Sequence, residues 1–169
     1  MLYRAQQVSG PDDNVNMTIR RAEMTEIEDA WTIVSEYYAA VSVIAREERQ
    51  EFEAEYFGDG SGVWLVRRGA NVTGCIALRP LAAMPHAGEV KRLYVQPDAR
   101  GQGIAGLLLA ALEEYALAAG YEWLYLDSKD DLEAAIRFYE NHGYARCERY
   151  NENPQATIFM RKRIAPADS

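Results

Sequence analysis

The stretch Gly101-Gln102-Gly103-Ile104-Ala105-Gly106 constrains this chain more than any other. Before it, Glu89-Val90-Lys91-Arg92-Leu93-Tyr94-Val95 reads as a β-strand, stopped by Pro97. After it, Ile104, Leu107, Leu108, Ala111, Leu112 and Tyr115 fall on one face of a helix that ends near Gly120. Glycines between a strand and a helix let the backbone come close to a ligand. The helix start adds unpaired N–H groups and the positive end of its dipole. Together these make an anion site, with Arg100 as an adjacent cation.

The same residues satisfy G-x-G-x-x-G, so a dinucleotide site has to be weighed. That fold places its glycine turn directly after the strand, whereas Gln96-Pro97-Asp98-Ala99-Arg100 intervenes here. It also needs an acid at a strand end about 20 residues on. Glu122 lies at a strand start instead, and Asp127 comes later. No Gly-Lys-Ser/Thr follows, which excludes a Walker loop.

The rest of the chain frames this unit. Its 169 residues fit one domain, and 49% hydrophobic residues supply a core. A net charge of −8 argues against a nucleic-acid partner, which needs a basic face. Residues 1–16 read as a disordered polar arm, 17–164 as the domain and 165–169 as a tail. No apolar leader or membrane-length run is visible, so a soluble cytoplasmic protein is expected. Cys75 and Cys147 match no metal or redox spacing and read as small buried residues in strands.

A strand is expected from Met17 to Arg21, then a helix begun by a Thr25/Glu28 capping box with Ile27, Trp31, Val34 and Tyr38 on its inner face. A second helix spans Arg46 to Tyr56. Val63–Val66 and Val72–Leu78 form a hairpin, and Pro80–Gly88 a loop. Trp123–Leu126 is a buried strand. Asp131 caps a helix carrying Leu132, Ala135, Ile136 and Tyr139. Strands near Tyr144–Arg149 and Ala156–Arg163 flank Asn151-Glu152-Asn153-Pro154. The order β-α-α-β-β-β-α-β-α-β-β implies a mixed α/β sheet with helices on both faces.

Residues 89–105 closely resemble the GNAT acetyltransferases, including their Arg/Gln-x-x-Gly-x-Gly/Ala signature. Phe138-Tyr139-Glu140-Asn141-His142-Gly143-Tyr144 is similar to the second hallmark of that family. The resemblance implies an α/β (α+β mixed) fold with a central, mostly antiparallel seven-stranded sheet and about four helices. It implies acetyl-CoA as cosubstrate, no metal, and acetyl transfer to a primary amine of a small molecule. A protein lysine, a peptide N-terminus or a silent acyl-CoA sensor are the alternatives, and a homodimer is compatible with it.

Carried over residue by residue, the pyrophosphate falls to the amides of Gly101, Gln102, Gly103, Ile104, Ala105 and Gly106, with Arg100 adding charge. The pantetheine arm falls to a bulged, splayed strand at Leu93, Tyr94 and Val95. Tyr139 matches the acid that protonates the leaving sulfur. Glu89 and Asp127 each match a general base found in some relatives. One departure stands: relatives carry a CoA-contacting Asn seven residues before the tyrosine, and this chain has Leu132, with Asp131 or Ser128 as stand-ins. Tyr150 and Asn153 fall where an acceptor pocket is expected, with Arg79, His86 and Tyr38 as weaker candidates.

Overall fold

The computed structural model describes residues 16–41 and 47–166. Its strands are β1 (Met17–Arg21), β2 (Gly62–Arg68), β3 (Asn71–Pro80), β4 (Ala87–Val95), β5 (Trp123–Ser128), β6 (Ala145–Arg146) and β7 (Ile158–Arg163). Its helices are α1 (Ile27–Val41), α2 (Arg49–Tyr56), α3 (Ile104–Ala118) and α4 (Glu133–Asn141). The expected element order is the observed one. The strands form one seven-stranded sheet in the order β1-β2-β3-β4-β5-β7-β6. Neighbours run antiparallel except β4 and β5, which are parallel.

Strand alternation divides the core between the two faces. Val63, Leu65, Cys75 and Ala77 pack with α1 and α2, against Ile33, Val34, Phe52 and Tyr56. Trp64, Val66, Ile76 and Leu78 pack with α3, against Leu108 and Leu112, and Ile136 of α4 joins the same cluster. Each large apolar side chain buried there contributes about 1.5–3 kcal/mol. This central sandwich holds β4 and β5 in place from both sides.

Local signals lost to tertiary contacts at several points. The expected Thr25/Glu28 box does not start α1. A 3-10 turn at Met24–Glu26 precedes the helix, and Glu26 accepts the Glu23 N–H at 3.0 Å. Glu26 is held there by Arg20 at 2.6 and 2.9 Å and by Arg67 at 2.7 Å. Asp131 does not cap α4 either. Leu132 occupies that position, and its N–H bonds Lys129 O at 3.0 Å in a preceding turn. The strand expected to reach Arg149 stops at Arg146, because the chain leaves the ladder to carry Tyr150 and Asn151 toward β4 and β5. Cys75 is buried in β3, but Cys147 is half-buried beyond β6. β7 starts at Ile158 rather than Ala156. The 1–16 arm apart from Asn16, the Arg46 start of the second helix and the last three tail residues lie outside the described residues.

Candidate active site

The site begins with a fault in β4. Tyr94 stands opposite Cys75 and Lys91 opposite Ala77, so Arg92 and Leu93 share the single position Ile76. Arg92 takes φ +59, left-handed backbone that a non-glycine residue adopts at a cost of about 1–2 kcal/mol. The bulge reverses the alternation along the strand. Val90, Leu93 and Val95 pack with the α3 and α4 cluster. Tyr94 packs with the α1 and α2 cluster. Arg92 joins that side too, stacking on Tyr38 at 5.1 Å and pairing with Glu47 at 3.1 Å. Arg92 is half-buried, and its buried Nε has no partner among the described residues.

β4 and β5 pair only at Ala87–Trp123, Gly88–Leu124 and Glu89–Tyr125. Beyond Glu89 they part, while β5 continues against β7 as far as Ser128. The parting opens a cleft of about 190 Å³ through the sheet. Leu132, Ala135 and Tyr139 line it from the α4 side; Tyr37, Lys91 and Asp127 line it from the other. Leu93 lies on its wall, whereas Tyr94 and Val95 are buried in the two cores beside it.

At the end of β4, Pro97–Ala99 form a 3-10 turn that leads into the glycine loop. Gly101 and Gly103 adopt φ +79 and +74, and a Cβ at either would meet nothing within 4 Å. The first bond into α3 is Leu107 N–H to Gly103 O at 3.2 Å. The N–H groups of Gly101 through Gly106 therefore have no acceptor among the described residues. Arg100 is exposed, and its Nε donates to Val95 O at 2.9 Å, which ties the loop to the strand end. Gly106 lets His142 approach: a Cβ there would stand 3.4 Å from its Nε2.

The two candidate bases differ. Glu89 is fully buried, and both its oxygens are engaged. Oε1 accepts Arg79 Nε at 2.8 Å; Oε2 accepts the Tyr150 hydroxyl at 2.6 Å and Asn151 Nδ2 at 3.2 Å. Burial alone would raise its pKa, but the Lys91 and Arg79 charges and the Tyr150 hydroxyl outweigh it and hold the carboxyl below 4.5. Asp127 faces the cleft. Its Oδ2 accepts Asn151 Nδ2 at 2.7 Å and Asn153 Nδ2 at 3.2 Å, and its Oδ1 has no partner among the described residues. Tyr139 lines the cleft from α4, with no hydrogen bond to its hydroxyl among the described residues. Burial first, then the charges of Tyr37 and Asp127, push its phenol well above the ordinary value. The hydroxyl is thus a neutral donor throughout the physiological range.

A profile of the Acetyltransferase (GNAT) family matches residues 25–144, most of the chain. The chain belongs to this family. GNAT members use acetyl-CoA as cosubstrate, and the bare amides, the empty space at two glycines and the unpaired strand edge are compatible with the chemistry of such a molecule. An uncharacterized N-acetyltransferase of Schizosaccharomyces pombe is 36% identical over 108 residues, 62% of this chain and 66% of its own length. The aminoalkylphosphonate N-acetyltransferase of Salmonella typhimurium is 36% identical over 99 residues, 57% of this chain and 64% of its own. The chain thus spans just under two thirds of each of these relatives. A Salmonella typhimurium acetyltransferase solved with its cofactor acetyl-CoA shares the fold, with a TM-score of 0.72 at 19% identity over 90% of this chain and 96% of that one.

Within this GNAT fold the sequence missed several residues of the site. Lys91 and Arg92 read as a solvent face because they are charged residues in a strand, and Tyr37 and Asn151 carry no local signal because helix packing and a long-range turn bring them in. Tyr150 and Asn153 do reach the site, through Glu89 and Asp127. Arg79 supports Glu89 and Tyr38 supports Arg92, whereas the His86 side chain is exposed on the loop before β4. Leu132 and Ser128 both line the cleft; Asp131 does not. No helix among the described residues is long and apolar enough to cross a membrane.

Proposed function

We propose that this chain is an acetyl-CoA-dependent N-acetyltransferase acting on the primary amine of a small molecule. The observation that carries the proposal is the parting of β4 from β5 beyond Glu89, which opens a cleft lined by Leu93, Tyr139 and Asp127. Acetyl-CoA, when bound, supplies a thioester carbonyl and a sulfur leaving group. The Gly101–Gly106 amides hold its pyrophosphate, and the unpaired edge of β4 at Leu93–Val95 takes its pantetheine arm.

Asp127 Oδ1 accepts a proton from the acceptor's ammonium, freeing the lone pair that attacks the carbonyl. The main chain at Leu93 and Tyr94 supplies an N–H for the developing oxyanion. Tyr139 gives its hydroxyl proton to the sulfur as the carbon–sulfur bond breaks. Glu89 is engaged on both oxygens and serves as the support that fixes Tyr150 and Asn151. Leu132 makes an apolar contact where relatives make a polar one. The proposal includes a single catalytic domain over residues 17–164 and a cytoplasmic enzyme, and it is compatible with a homodimer.

The size of the cleft supports a small acceptor. About 190 Å³ lies below the roughly 300–1,000 Å³ of drug-sized ligand sites. Mass spectrometry of the purified protein for bound CoA, followed by thiol release from acetyl-CoA with an amine panel, tests the reading. CoA retention without turnover on any amine would make the protein an acyl-CoA sensor instead.

A further inference from the structure

We propose that the acceptor is an amine with an acid group on the adjacent carbon, an α-amino acid or α-aminophosphonate, held between Lys91 and Asp127. This rests on the reading above, that the Asp127 side of the cleft receives the acceptor.

Lys91 supplies the first reason. Its ammonium lies 3.6 Å from Glu89 Oε1 and 3.8 Å from Asp127 Oδ2. Both distances exceed the about 2.7–3.2 Å of an N–H···O bond. Its side chain is only 11% exposed, and the residue lines the cleft. An ammonium so enclosed needs acceptors for its three donors. Glu89 has none to spare, because Arg79, Tyr150 and Asn151 occupy it. The remaining acceptors of the ammonium are water or an acid group that enters the cleft and displaces it.

Asp127 supplies the second. Asn151 and Asn153 occupy Oδ2, which leaves Oδ1 for an incoming ammonium. Spacing joins the two. In an α-amino acid the nitrogen and a carboxylate oxygen lie about 3 Å apart. One hydrogen bond of about 2.9 Å from each end reaches Asp127 and Lys91. The Lys91 ammonium stands 3.8 Å from the other oxygen of the same carboxylate, Oδ2, so the cation and the carboxylate that would receive the two ends of such a molecule are neighbours. A purely cationic acceptor would instead meet Lys91 as a like charge, with Arg92 and Lys129 lining the same cleft.

The test is calorimetric binding to the CoA-loaded protein. Each L-amino acid is titrated against the amine that lacks its carboxylate, with 1-aminoethylphosphonate as the phosphonate arm and spermidine as the cationic control. The expected result is that an amino acid or the phosphonate binds about 10- to 100-fold tighter than its acid-free amine. Lys91→Met should bring that ratio near 1, and Lys91→Arg should restore part of it. Both variants are checked for unchanged melting. The proposal is overturned if no acid-bearing compound outbinds its amine, if spermidine binds best, or if Lys91→Met leaves the ratio intact. The two readings separate cleanly. Lys91-dependent amino-acid binding without thiol release sinks the acetyltransferase reading alone. Thiol release with simple amines or polyamines, and no acid preference, sinks this inference alone.

Discussion

The glycine loop and the cleft are built in opposite ways. The α3 end of the site is main chain: six amides in a row, two left-handed glycines and an unpaired strand edge. The Asp127 end is side chains, with Tyr37 from α1, Lys91 from β4, Asp127 from β5 and Asn151 and Asn153 from the turn before β7. A main-chain cradle depends on backbone path and free space, so many sequences can make it and few side chains can improve it. A side-chain pocket depends on register and charge, so one substitution can retune it. The contrast suits an enzyme that keeps one donor and selects among many acceptors.

The most damaging way to probe the contrast is to put a side chain into the cradle. Gly103→Glu places a carboxylate at the helix start on backbone with φ +74. We expect CoA affinity to fall by at least about 10³-fold, since charge repulsion, lost anion contacts and left-handed strain act together. Gly103→Ala isolates the strain, because its Cβ meets nothing within 4 Å, and should cost only about 10-fold. Calorimetry with CoA reads both. Normal affinity in Gly103→Glu would mean that the amides do not hold the phosphates.

Next comes the seam between the two ends. Tyr139→Phe should lower kcat by about 10²–10⁴-fold with CoA affinity unchanged. An unaltered rate would make Tyr139 a packing residue, as its place beside Ile136 also allows. At the acceptor end, Asp127→Asn should lower kcat/KM by about 10²-fold, mostly through kcat. Glu89→Gln should act mainly on KM and melting temperature, because it loosens Tyr150 and Asn151. Equal loss of kcat in the two variants would erase the distinction drawn between the carboxylates.

That distinction explains what could and could not be read from the sequence. The cradle was legible because it is local: a strand, a proline stop, two spaced glycines and a helical stripe lie within residues 89–115. The same locality gave the element order and the hairpin. The pocket was not legible because it depends on one inserted residue. Without the bulge at Arg92 and Leu93, Arg92 would share a face with Val90, whereas Lys91 precedes the bulge and reads in the sequence as a solvent-facing strand lysine. Likewise, nothing near Glu89 in sequence says that Tyr150, 61 residues later, seals it. The misread caps show the same rule in reverse. Thr25 and Asp131 are good local helix-start signals, but Glu26 is bound by Arg67 across 41 residues, and a turn from Lys129 brings Leu132 to the cleft.

The smallest expected effect concerns stability rather than rate. Glu89 is 1% exposed at its side chain and paired with Arg79, which also holds Glu55 at 2.7 Å. Removing its charge leaves Arg79 one partner, so Glu89→Gln should cost about 3 kcal/mol near neutral pH, at the low end for a broken buried pair. The folded-state pKa lies below the ordinary 4.5, which fixes the sign. The charge contribution is complete above about pH 4.5 and is lost as pH falls through the lower folded value. The stability gap between wild type and Glu89→Gln should therefore be constant from pH 7 to about 5 and narrow steadily toward pH 3. Chemical denaturation at each pH measures it. A gap of the same size at pH 3 and pH 7 would show that Glu89 contributes through shape and neutral hydrogen bonds alone. The clean division between a charged support at Glu89 and a proton acceptor at Asp127 would then have to be redrawn.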